Sequence, residues 1–96
     1  MKEVFIVKGE NKQKVEDLLK QDDVINRGSI TIKTPASIDM KEDGIFFILD
    51  MPEEAMKRAE ELTKGLAEKY KHGKDVIKKV EEQENTAIEG FGSILG

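Results

Sequence analysis

The sequence predicts an α+β sandwich of two helices on a four-stranded antiparallel sheet, in the order strand, helix, strand, strand, helix, strand. Three observations predict it. Val4-Phe5-Ile6-Val7 and Ile45-Phe46-Phe47-Ile48-Leu49 are apolar at every position, as strands buried on both faces must be. Ser29-Ile30-Thr31-Ile32-Lys33-Thr34 alternates strictly, the pattern of a strand with one face in water. Between these runs lie two segments whose apolar residues recur at helical spacing.

Taken in order, the first strand ends at Lys8-Gly9, and Asn11 is placed to start a helix through its side-chain oxygen. Val15, Leu18 and Leu19 form an i, i+3, i+4 stripe, and that helix ends near Gln21. Asn26-Arg27-Gly28 has turn chemistry and leads into the alternating strand, with Ile30 and Ile32 on one side and Ser29, Thr31 and Lys33 on the other. Pro35 limits that strand, and Ala36 to Asp43 form a loop with Ile38 tucked in, closing a hairpin onto the strand that follows Gly44. Phe46 and Ile48 then point one way, and Ile45, Phe47 and Leu49 the other.

Pro52 suits the first position of a second helix, and Glu53 and Glu54 complement its positive end. Met56 and a stripe of Ala55, Ala59, Leu62, Leu66 and Tyr70 carry this helix to a stop at Gly73, with Gly65 inside it as a point of close approach or a slight bend. Asp75 to Glu82 has two readings, a charged edge strand or a third helix started by Asp75. The strand is preferred because Val76, Ile77 and Val80 favour it and because it completes the pattern. Residues 1–84 then make one domain. Residues 85–96, with Ala87, Ile88, Phe91, Ile94 and Leu95 among glycines, are too apolar for a solvated end and read as a docking tail.

Composition excludes several kinds of chemistry. The 96 residues suffice for one core. A net charge of −4 disfavours broad contact with phosphate backbone. With no cysteine there is no disulfide, thiolate nucleophile or Cys-ligated zinc, and His72 as the single histidine removes most other metal patterns, so no cofactor and no metal are expected. No apolar run nears the ~20 residues of a membrane span, and no signal-peptide pattern opens the chain, which points to the cytoplasm. Abundant Lys and Glu with few Asn and Gln suggest a thermophilic source.

The element order is that of the split βαβ, or ferredoxin-like, two-layer sandwich. Right-handed crossovers then give sheet order 4-1-3-2, which puts the two fully apolar strands in the middle. If both helices cover the Val4, Ile6, Phe46 and Ile48 side, the opposite face shows Phe5, Val7, Ile45, Phe47 and Leu49 to water. Hiding even about 400 Å² of such a patch is worth on the order of 10 kcal/mol before entropic costs. The expected interaction surface is therefore Phe5, Val7, Ile45, Phe47 and Leu49, with Phe91, Ile94 and Leu95 of the tail. The function this predicts is a non-catalytic binding or regulatory module, homo-oligomeric, with a possible small-molecule ligand.

Val4-Phe5-Ile6-Val7 and Asp43-Gly44-Ile45-Phe46-Phe47-Ile48 resemble the two short motifs of RNA-recognition-motif domains. That resemblance implies single-stranded RNA stacked on Phe5 and Phe47. It departs from the motifs at Asp43, Ile45 and Asp50, where a basic residue and two aromatics are expected, and carboxylates there repel phosphate. The element order is similar to that of the acylphosphatase family, whose activity depends on an arginine in the loop after the first strand; Lys8-Gly9-Glu10-Asn11-Lys12 holds none. No Ser/His/acid set or phosphate-cradling glycine loop is present, so no enzyme is expected. Lys69, Lys71, Lys74, Lys78 and Lys79 form a basic patch around His72. In layout and composition the chain resembles small uncharacterised archaeal proteins, which implies no activity.

Overall fold

The structure, a computed structural model, describes residues 1–83. Strands β1 (Lys2–Val7), β2 (Ser29–Lys33), β3 (Ile45–Asp50) and β4 (Ala67–Lys69) form one sheet in the order β2-β3-β1-β4. All three pairings are antiparallel. Helix α1 (Lys12–Lys20) joins β1 to β2, α2 (Glu53–Leu62) joins β3 to β4, and a third helix, α3, occupies residues 73–83. The expected strand order is found, with the doubly apolar strands in the centre.

The central register sets Phe5 opposite Phe47, Val4 opposite Ile48 and Ile6 opposite Phe46. Because strand side chains alternate, this splits the apolar residues into two layers. Phe5, Val7, Phe47 and Leu49 pack beneath α1 and α2 against Val15, Leu19, Ala55, Met56 and Ala59, with Ile30 and Ile32 of β2 at the margin. Val4, Phe46 and Ile48 face the other way, beneath Ile38 of the β2–β3 connection and Val76 and Val80 of α3. The fold thus has helices on both sides of the sheet.

Asn11 precedes α1, but its side chain makes no capping hydrogen bond, and the structure departs from three larger expectations. The second helix does not run on to Gly73; it stops at Leu62, where the Thr63 hydroxyl donates to the Ala59 carbonyl at 2.7 Å and Gly65 turns the chain at φ +84°. Only glycine adopts that left-handed conformation without strain, so Gly65 allows the turn after the helix, in which the Leu66 amide donates to the Thr63 carbonyl at 2.8 Å. Next, the fourth strand is 67–69, not Asp75 to Glu82. The outer edge of β1 needs partners for its backbone amides and carbonyls, and Ala67-Glu68-Lys69 meets them first, pairing with Val7, Ile6 and Phe5.

With that edge filled, residues 73–83 gain most by folding as a helix. Val76, Ile77 and Val80 then line one face and lie on apolar surface that would otherwise stay wet. The third correction concerns the covered faces. The two expected helices lie over Phe5, Val7, Phe47 and Leu49, and the chain covers the opposite face with α3. Residues 85–96, including Phe91, Ile94 and Leu95, lie outside the described residues.

Candidate functional site

Of the expected interaction surface, Phe5, Val7, Phe47 and Leu49 are 5%, 1%, 0% and 2% exposed, and Ile45 is half-buried against the same layer. The first four are core, and Ile45 packs at its margin. Their aromatic rings sit under α1 and α2, so stacking a nucleic-acid base on Phe5 or Phe47 would require the sandwich to come apart. The reason is the stripe on α2: Ala55, Met56 and Ala59 are small or pliant enough to bring that helix down onto both phenylalanines.

A concavity lies elsewhere, where β1 begins and α3 starts. It has a volume of about 540 Å³, within the usual range for small-molecule sites. Its shape follows from a local sequence signal. The Tyr70 amide donates to the Val4 carbonyl at 2.9 Å, extending the β4 pairing by one residue, and the chain then turns through Lys71 and His72. Gly73 brings the start of α3 against β1 so closely that an added Cβ would stand 3.3 Å from the Cβ of Val4. The amides of Asp75 and Val76 donate to the His72 carbonyl at 3.0 and 3.3 Å, which begins the helix.

Val4, Ile77 and Tyr70 line the cleft with apolar groups, Lys2, Lys71, Lys74, Glu3 and Asp75 line it with charges, and His72 is a lining residue too. Lys2 reaches Glu81 at 3.4 Å, and Glu3 is approached by Lys69 at 3.8 Å. Lys71 and Lys74 make no ion pair among the described residues. Two positive groups are thus uncommitted at the start of a helix, whose own dipole is positive there. Such a cleft can hold a small anion that carries an apolar part.

Tyr70 anchors one wall. Its ring packs at 4.9 Å, tilted by 55°, on Phe46 and meets the His72 ring edge-on at 5.8 Å. Its hydroxyl donates to a Glu42 carboxylate oxygen at 3.0 Å. Burial, and then the Glu42 carboxylate it bonds to, push the phenol above its ordinary range. Nearby, the Glu60 carboxylate bonded to Lys69 at 3.1 Å, with Glu3 beside it, raises that ammonium's affinity for its proton.

No family model, curated protein or solved structure matches this chain. Of the basic patch noted in the sequence, Lys71 and Lys74 line the cleft, Lys69 is engaged by Glu60 and Glu3, and Lys78 and Lys79 lie further along α3. His72, expected near a helix C-terminus, precedes a helix N-terminus instead. Lys2, Val4 and Ile77 were not legible as cleft residues, because the cleft exists only once α3 lies beside β1. Gly73 was the one available signal. Among the described residues no group of three or more His, Cys, Asp or Glu is placed to hold a metal ion, and no helix is long and apolar enough to cross a membrane.

Proposed function

We propose that this chain is a non-catalytic binding and regulatory module that takes a small organic anion in the cleft between β1 and the start of α3. The observation that carries the reading is the 540 Å³ cleft itself, lined by the apolar Val4, Ile77 and Tyr70 and by Lys71 and Lys74, which have no ion-pair partner among the described residues. In outline, the ligand's anionic group is met by the two ammonium groups and the first turn of α3, and its apolar part lies against Val4, Ile77 and Tyr70.

The framework, on this reading, is ferredoxin-like, supported by the strand order β2-β3-β1-β4 and extended by α3. We place the module in the cytoplasm of a thermophilic archaeon, working as a homo-oligomer with residues 85–96 as a docking segment. Support for that comes from the Lys- and Glu-rich composition and from Phe91, Ile94 and Leu95.

The test is a titration of the ¹⁵N-labelled protein with inorganic phosphate, benzoate and phenyl phosphate, followed by amide and His72 ring resonances. Phenyl phosphate is expected to bind most tightly, to shift His72, Gly73, Lys74 and Asp75 first, and to lose at least about tenfold in affinity in Lys71→Ala/Lys74→Ala. Shifts spread evenly over all lysine-rich surfaces, or unaltered by the double substitution, would overturn the site.

A further inference from the structure

The sheet treats its two edges differently. β4 is three residues long and ends in the exposed Glu68 and Lys69, a short charged edge of the kind native sheets use to prevent further pairing. β2 runs for five residues, is β-branched at its three interior positions, and carries one charge, Lys33, at its end. It stands at the other margin of the sheet, and among the described residues no backbone bond from another element reaches its outer side. Ile30 and Ile32 are half-buried there, at the border of the layer beneath α1 and α2.

We propose that the β2 edge pairs with β2 of a second copy of this chain, antiparallel about a two-fold axis at Thr31, to make one continuous eight-stranded sheet. The register follows from the residues. Antiparallel partners share a sheet face, so the axis falls on a residue, and Ile30, Thr31 and Ile32 are the candidates. An axis at Ile32 sets Ser29 against Pro35, which has no N–H to give. An axis at Ile30 uses Gly28, which has no side chain to pack, and leaves Lys33 outside the pairing. With the axis at Thr31 all five residues pair among themselves.

That register is complementary in both layers. On the α1 and α2 side, Ile30 of each copy meets Ile32 of the other and extends the apolar layer across the axis. On the α3 side, Lys33 lies opposite Ser29 of the second copy, and Ser29 lies beside Asp50 in the hairpin. Across two strand spacings of about 4.8 Å each, the lysine passes over the small serine toward the Asp50 carboxylate. Lys33 makes no ion pair among the described residues, and Asp50 is half-exposed with the chain's amino terminus at 3.7 Å. Two such Lys33–Asp50 contacts form by symmetry.

This deepens the homo-oligomeric part of the reading above; anion titration reports on the cleft and mass reports on the edge, so either can fail alone. Sedimentation equilibrium of the full chain is expected to show twice the 10.8 kDa chain mass at high concentration. Lys33→Asp and Asp50→Lys are each expected to weaken the dimer at least about tenfold, and the double exchange to restore it. Thr31→Lys, which sets like charges at the axis, is expected to give monomer, with circular dichroism confirming that each variant folds. A wild-type mass of one chain at every concentration would overturn the proposal. So would a dimer that Thr31→Lys leaves intact, or singles that the double exchange does not rescue.

Discussion

Replacing Val76 by alanine tests the central structural feature, the covering of the second sheet face by α3. Val76 is 0% exposed and packs in the layer of Val4, Ile38, Phe46, Ile48 and Val80. The substitution removes two carbon groups, worth about 0.8 kcal/mol each in transfer, and leaves a space that the rigid sheet beneath fills only in part. A loss of about 2–3 kcal/mol is expected, a large fraction of the stability of a domain this small. Urea denaturation followed by circular dichroism reads it as a lower midpoint at unchanged slope. Val24→Ala, at a site 43% exposed, is the control and should shift stability by less than about 0.5 kcal/mol. Equal effects at the two sites, or a loss below about 0.5 kcal/mol at Val76, would refute the placement of α3 on the sheet.

Glycine substitutions separate backbone strain from steric clash. Gly44→Ala places a Cβ 2.8 Å from the Val7 carbonyl oxygen at φ +142°, and should cost more than Gly65→Ala, where φ is +84° but nothing lies within 4 Å. Thermal melts should show about 1–2 kcal/mol for Gly65→Ala and a clearly larger loss for Gly44→Ala; the reverse order would count against both turn geometries. Stability should also fall in acid through Asp22. Its carboxylate accepts from Arg58 Nε at 2.5 Å and from the amides of Val24 and Ile25 at 3.0 and 3.1 Å, and the Arg58 hydrogen bond is the main cause holding it below the usual carboxylate range. A group depressed in the folded state stabilises fully above its unfolded value, near 3.8, and loses that contribution as pH falls through the folded one. Arg58→Ala should flatten the pH profile of stability below about pH 4, and an unchanged slope there would reject the assignment.

The sequence by itself determined the central strands, which of their residues share a face, and their order, but not which face the first two helices cover. Val4 to Val7 and Ile45 to Leu49 are apolar at every position, and only the middle of a sheet covered on both faces accommodates that. The alternation of Ser29 to Lys33 likewise placed β2 at an edge with Ile30 and Ile32 inward. What local patterns left open is the route from Leu62 to Gln83. Ala59, Leu62, Leu66 and Tyr70 hold helical spacing through a segment that is helix, turn and strand in turn, because period alone does not register the open edge of β1 waiting for a partner. Val76, Ile77 and Val80 suit either strand or helix, and the tertiary structure decided between them. Once residues 67–69 had taken the edge, the remaining apolar surface was a face, and a helix covers a face while satisfying its own backbone. The cleft between β1 and α3 is a product of that decision, which is why its lining residues carry no common mark in the chain.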